Sequence, residues 1–263
     1  MRKIWGLFLV LVLLLWGTPA QAEKLGERLA QFPGWESKPS VSAADGDLIY
    51  PDWMEGNWNV SSTLVEQVAP LAPKVVTPGF ESNRRYLNQP VNFQVRFQNI
   101  SYPQSVINDS FLLLKIGNSK LKISGVVADR AFNGLNIATA YLGDRAVQSV
   151  KVDPNSPNNQ ITFLRKGRQL ISVVTGRDSE TPTKEQFIAT EVSNQYFRGT
   201  AQPYFNQVET TTAYKLIQKP SLKIEADQVT AVYLSPQDAD YFKALQRPVA
   251  LYRYRLELLP VAQ

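Results

Sequence analysis

Any chemistry in this chain has to be done without histidine or cysteine, because neither occurs in its 263 residues. The first absence removes the usual general base, the Ser-His-Asp triad and imidazole metal ligation. The second removes thiolate nucleophiles, disulfides, iron–sulfur clusters and thiolate zinc sites. Carboxylates and hydroxyls remain. Asp238-Ala239-Asp240, with Asp227 upstream, could do acid–base or metal work, although at a helix start such residues more often favour the helix dipole. Ser61, Ser62 and Thr210-Thr211-Thr212 offer hydroxyls with no activating base beside them. Ser119-Lys120-Leu121-Lys122 has the Ser-x-x-Lys form, but it enters a strand, where the two side chains point apart. Glycine is scattered and never followed by Lys-Ser/Thr, so no phosphate loop is present. The three Asn-x-Ser matches, at Asn59, Asn99 and Asn108, are chance, because the leader looks bacterial. No cofactor, metal site or catalytic residue is expected from this inventory.

A cavity is the other way to function. Phe93, Val95, Phe97, Tyr252 and Tyr254 fall on the apolar sides of two alternating segments. They could line a cavity for a small hydrophobic ligand of pigment or lipid type, or they could fill the core. A barrel of about eight strands is just wide enough for either. Asp129-Arg130, followed by Phe132, stands at the mouth of a helix between strands, either as a rim or ligand gate or as an ion pair fixing the loop.

The elements that must position these residues are mostly strands. Val91, Phe93, Val95 and Phe97 alternate with Asn92, Gln94, Arg96 and Gln98, a strand with one wet face. Trp58, Val60, Ser62 and Leu64 share one side of an earlier strand, and Tyr252, Tyr254, Leu256 and Leu258 one side of the last. Strands are also predicted over 122–127, 147–152, 161–164, 169–174, 186–197, 208–217 and 228–234. The apolar run Phe111–Ile116 fits a strand or a helix. Helical spacing predicts a short helix over 128–142, ended by Gly143, and a second over 237–245 opened by Ser235-Pro236. Residues 153–159 read as a turn, 175–184 as a polar loop, and 68–78, with Pro70, Pro73 and Pro78, as a loop or edge. Such a series of short strands implies an all-β antiparallel fold, and a long last strand able to pair with the first favours a closed barrel over a sandwich.

Residues 1–22 read as a secretory signal peptide: Arg2 and Lys3, an apolar run from Ile4 to Trp16, and Ala20-Gln21-Ala22 for cleavage. That run is too short for a spanning helix. The expected layout is a leader, an N-terminal arm over 23–49 that adheres through Phe32 and Trp35, and a single barrel domain over 50–263. The whole chain carries +5, or +3 without Arg2 and Lys3, and no dense basic cluster points to nucleic acid. Arg165-Lys166-Gly167-Arg168 reads as a solvated hairpin turn.

Tyr50-Pro51-Asp52-Trp53-Met54-Glu55-Gly56-Asn57-Trp58 contains a Gly-x-Trp start (Gly56, Trp58) just before a strand. Together with Ala128–Gly134, Val173–Arg177 and the final strand, it resembles a family of exported or lumen-targeted proteins of cyanobacteria and plant chloroplasts whose members carry no established activity. The Gly-x-Trp start is also similar to that of lipocalins. That likeness implies a lipocalin-like (calycin) barrel of about 8–10 strands, with Trp58 packed at the closed end beneath Arg253 or Arg255. A guanidinium over an indole contributes about 0.5–2 kcal/mol. The resemblance implies a periplasmic or thylakoid-lumen location. Three functions stay open: holding a small hydrophobic molecule, assisting the assembly of photosynthetic membrane complexes with a filled barrel, or a carboxylate-dependent enzyme acting on a lipid or pigment.

Overall fold

The structure, a computed structural model, describes residues 24–102, 123–200 and 203–262. The predicted leader, the run Phe111–Ile116 and the Ser119/Lys122 pair lie outside these residues. The strands are β1 Ser42–Ala43, β2 Gly56–Val68, β3 Pro90–Tyr102, β4 Ile123–Ala128, β5 Val147–Asp153 and β6 Ser156–Leu164. They continue with β7 Gln169–Thr183, β8 Gln186–Arg198, β9 Tyr204–Ile217, β10 Lys223–Leu234 and β11 Ala250–Pro260. Among the described residues three α-helices accompany them: α1 Leu25–Ala30, α2 Arg130–Leu142 and α3 Tyr241–Ala244.

All strands belong to one antiparallel sheet in the order β4-β3-β2-β11-β10-β9-β8-β7-β6-β5, and β1 pairs with β7. The last strand returns to the first long one, with Leu251 opposite Val68 and Pro260 opposite Trp58. The expected ring is nevertheless not closed by hydrogen bonds. β4 and β5, neighbours in sequence, do not pair; α2 joins them and packs on β3, β5 and β6. The result is a curled half-barrel with a helix at its seam. A helix is about 10 Å across, roughly twice the spacing of paired strands, so strands on either side of it are held too far apart to bond. Gly134 brings α2 as close as it comes: a Cβ there would stand 2.9 Å from Gln160 Nε2 and 3.1 Å from Val150 Cγ1.

Local boundaries follow backbone pairing more than side-chain polarity. The polar stretch 175–184, expected as a loop, is strand, because β7 pairs with β8 as far as Thr183 opposite Gln186. The turn expected over 153–159 shrinks to Pro154-Asn155, since β6 starts at Ser156. α2 starts at Arg130, because Ala128 is still paired with Phe97, and Asp129 caps it by accepting the Phe132 N–H at 3.0 Å. The helix expected over 237–245 is the single turn α3, ended where Leu245 and Gln246 both take left-handed φ values of 50° and 64°. Ser235 does not cap it; its hydroxyl meets the Gln237 side chain.

Four clusters form the core among the described residues, a small one of Leu48, Phe187 and Ala189 lying beside Tyr50, Trp53 and Tyr214. At one end Trp58, buried at 3 % exposure, packs with Met54, Val95, Phe97, Ile224 and Leu258, and its indole N–H donates to Met54 O at 2.8 Å. At the other end Leu64, Phe80, Val208, Val232 and Tyr252 pack beneath the connection 69–89. The third cluster lies on the outer face, where Leu25, Leu29 and Trp35 of the arm cover Val229, Ala231, Tyr233 and Leu251.

Arg253 and Arg255 correct the lipocalin expectation. The alternation that turns Tyr252, Tyr254, Leu256 and Leu258 inward with Trp58 turns both arginines outward. Arg253 pairs with Asp227 at 2.5 Å and lies over the Phe32 ring at 5.3 Å. Arg255 lies in a shallow outer groove beside Thr63 and Glu257. Neither covers Trp58.

Candidate functional site

The inner face of the half-barrel is not filled. A space of about 680 Å³ runs between α2 and strands β6 to β9, and a second of about 270 Å³ lies between α2 and β2, β3, β10 and β11. Both are lined by Ala128, Asn133, Ile137 and Tyr141, so they meet along the helix. Phe93, Val95, Phe97 and Tyr254, predicted as cavity residues, line the smaller space. Tyr252, predicted with them, instead packs against Phe80 in the neighbouring core, ring centroids 5.9 Å apart. Gly56 and Trp58 close the base: Gly56, at φ 127°, makes the bend before the indole.

The larger space has an apolar side and a polar side. Ile137, Tyr141 and Leu142 of α2 face Leu164, Leu170 and Phe197 at one end, while Gln160, Ser172, Ser193 and Thr210 supply neutral hydrogen-bonding groups from the sheet. Its charged corner is Arg130 and Glu191. Arg130 donates to Glu191 from Nη2 at 2.7 Å and from Nη1 at 3.3 Å, and its Nε lies 3.7 Å from Asp47 Oδ1. Arg177 reaches the same carboxylate at 2.9 Å and also bonds Gly46 O at 2.6 Å and the Asn158 side chain. The Nε atoms of Arg130 and Arg177 are buried without a hydrogen-bond partner.

Burial works against the Arg130 charge, yet Glu191 holds its pKa above the ordinary arginine value. Arg177 is held below that value by burial, with Arg130 adding to the effect despite the opposing pull of Glu191. The inner phenols stay neutral. Burial pushes Tyr214 up to about 12, and burial, reinforced by Tyr214 and Glu191, raises Tyr50 well above the usual value. Burial likewise raises Tyr141 and Tyr254. These hydroxyls are therefore standing donors at neutral pH.

The predicted rim residues come together, though not as one pair. Asp129 bonds Arg96 at 2.6 Å rather than Arg130, and the Arg96 guanidinium lies 4.4 Å over the Phe132 ring. Arg130 turns inside. Asn133 ties the helix to β3 by accepting the Arg96 N–H at 2.7 Å and donating to Arg96 O at 3.1 Å. The carboxylates Asp227, Asp238 and Asp240 do not converge on a cavity: Asp227 is on the outer face, and Asp238 Oδ1 accepts the Asp240 N–H at 2.9 Å.

Sequence reasoning missed Glu191 and Arg177, the centre of the charged corner. The signal was faint: Glu191 shares a strand face with Ser193 and Gln195, which reads as a wet exterior.

A model of a domain of unknown function, DUF6816, matches residues 42–262, and the chain belongs to that family. No curated protein and no solved structure matches the chain.

Proposed function

We propose that this DUF6816 protein is an exported, non-catalytic binding protein that holds one small amphipathic molecule, of pigment or lipid type, against the inner side of α2. The observation that carries this reading is Ile137, which lines both spaces and is 38 % exposed, while no residue of α2 is buried. A helix on the inner side of a sheet ordinarily buries its apolar stripe. Here the stripe borders a cavity whose volume falls within the range of about 300–1,000 Å³ usual for small-molecule sites. An apolar guest removes that surface from water, and the Arg130–Glu191 corner with the neutral tyrosines can receive a polar end.

The unfilled interior favours binding over an assembly role built on a filled barrel. Catalysis by paired carboxylates has less support, because Glu191 is the one carboxylate among the lining residues of the two spaces, and two guanidinium groups engage it. The predicted leader supports a location in a periplasm or thylakoid lumen.

Native purification followed by an absorption spectrum and mass spectrometry of the organic extract tests the reading. One co-purifying amphipathic compound near one per chain is expected. An empty extract, together with no uptake of fluorescent fatty-acid or pigment analogues, would sink it.

A further inference from the structure

We propose that the end of the half-barrel where β2 finishes and β11 begins is a docking face for an anionic lipid bilayer. Strand register brings five connections to this end: Val68 lies opposite Leu251, Leu234 opposite Asn206, Gln169 opposite Arg198 and Val147 opposite Leu164. They touch one another. Thr77 bonds the Tyr204 hydroxyl at 3.0 Å, Tyr86 donates to Tyr141 O at 3.0 Å, and Arg165 N–H donates to Ala146 O at 2.9 Å. Val75 and Phe80 share a core with Ala244 and Val249.

Among the described connections, positive charge is concentrated at this end. Residues 69–89, 143–146, 165–168, 198–200 and 235–248 contain ten Lys or Arg against four Asp or Glu. That is an excess of six positive charges, more than the +5 of the whole chain. At the opposite end, turns 52–55, 154–155, 184–185 and 218–222 contain two cations and three carboxylates. Arg84 and Lys243 are paired inside their own loops, each at 2.6 Å. Every residue of the turn 165–168, which carries Arg165, Lys166 and Arg168, is exposed.

Apolar side chains stand among these cations. Phe242 is 82 % and Leu245 71 % exposed, three residues apart, with Leu142 at the end of α2 and Val76 on the connection 69–89 about half exposed. Leu245 and Gln246 hold left-handed φ values that non-glycine residues adopt only at a cost, and the turn they make leaves Leu245 in water, where the folded chain gains nothing from it. Apolar tips on separate connections, spaced by Lys and Arg, match a bilayer surface. The tips reach the boundary between headgroups and acyl chains while the cations stay with the phosphates. An acidic protein partner would be better served by one continuous apolar patch with a charged rim. Among the described residues no helix is long and apolar enough to cross a membrane. The inference stands whatever occupies the cavity, although the larger space reaches this same end between Leu142, Leu164, Leu170 and Phe197.

The test is flotation of the full chain as purified with vesicles of phosphatidylglycerol and phosphatidylcholine, against phosphatidylcholine alone, with no cavity ligand added. Binding to the anionic vesicles should be at least about tenfold stronger and should weaken as salt is raised. Replacing Arg165, Lys166 and Arg168 together by Glu should lower it by about a hundredfold. Phe242→Ser with Leu245→Ser should lower it about tenfold without moving the unfolding temperature, since both side chains lie largely in solvent. No binding of the wild type to anionic vesicles, or binding that neither set of substitutions alters, overturns the proposal. Equal binding to soluble polyglutamate, indifferent to Phe242 and Leu245, assigns the face to an acidic polypeptide and overturns it too.

Discussion

Glu209 on the outer face of β9 and Glu191 on the inner face of β8 occupy neighbouring rungs of the same ladder, Glu209 opposite Val192 and Glu191 opposite Thr210. Each carboxylate binds arginine, yet their surroundings differ. Glu209 takes the Arg28 Nε at 2.6 Å and Nη2 at 2.8 Å, the Tyr233 hydroxyl at 2.7 Å and the Thr211 hydroxyl at 3.0 Å. Arg28 also donates to Ser37 O at 2.8 Å and stacks on Trp35, 4.0 Å from the ring centroid. Arg28 and Glu209 are both sealed from solvent. Glu191 faces two guanidinium groups, keeps about a quarter of its side chain exposed, and lies beside two buried Nε atoms with no acceptor. The outer group is a finished polar network that fastens the arm to the sheet. The inner one is unfinished and borders an open space. Buried polar groups left incomplete are costly, so where a fold keeps them beside a cavity, binding is a better account than stability.

The widest separation of the two sites should come from Glu209→Leu. It removes the sealed carboxylate that Arg28 Nε and Nη2 bond, and denaturant unfolding should show a loss of about 3–5 kcal/mol; a loss below about 1 kcal/mol would mean that the arm undocks with little consequence. Alkaline titration sharpens the contrast next. Burial and then Glu209 raise the Tyr233 pKa on the outer face, and burial, against a hydrogen bond with Thr212 and with help from Glu191, carries Tyr214 to about 12 on the inner face. The folded chain keeps protons that the unfolded chain releases near the ordinary tyrosine value, so stability is full below about pH 10 and falls as pH rises from there through about 12. Tyr233→Phe should flatten that fall. At the inner corner Glu191→Gln should cost only about 1–2 kcal/mol, because solvent already reaches the carboxylate, while lowering retention of the co-purifying molecule. The smallest change in stability, under about 1 kcal/mol, is expected for Ala138→Trp, which projects into the larger space and should empty it of ligand. If the ligand survives that substitution, it is bound elsewhere.

Much of the strand framework was legible because the alternation at Val91–Phe97 and Tyr252–Leu258 is strict and the indole of Trp58 has a single apolar side to occupy. The seam was not legible. Nothing in the pattern of residues 123–153 says that β4 and β5 fail to pair; that follows from the thickness of the helix between them. The charged corner was hidden for a different reason. Alternation tells which residues share a face and is silent on which face is wet. On β8 the arm covers Ile188 from outside, while the inner face changes along the strand from Phe187 and Ala189, buried in the core, to Glu191, Ser193 and Gln195, which line the cavity. Gly56 and Trp58 lie at one end of the sheet, but the arginine partner borrowed from lipocalins could not be placed without the register of β11.

The joint between β4 and β5 gives the wall a direction of weakness. Everywhere else along the sheet path, parting two strands would tear a row of peptide hydrogen bonds. Here the two margins are held by a helix: it is anchored to β3 through Asn133 and rests on β5 and β6 through the bare backbone at Gly134. A guest too wide for either end of the half-barrel could wedge in sideways past α2, displacing side chains while every rung of the ladder stays intact.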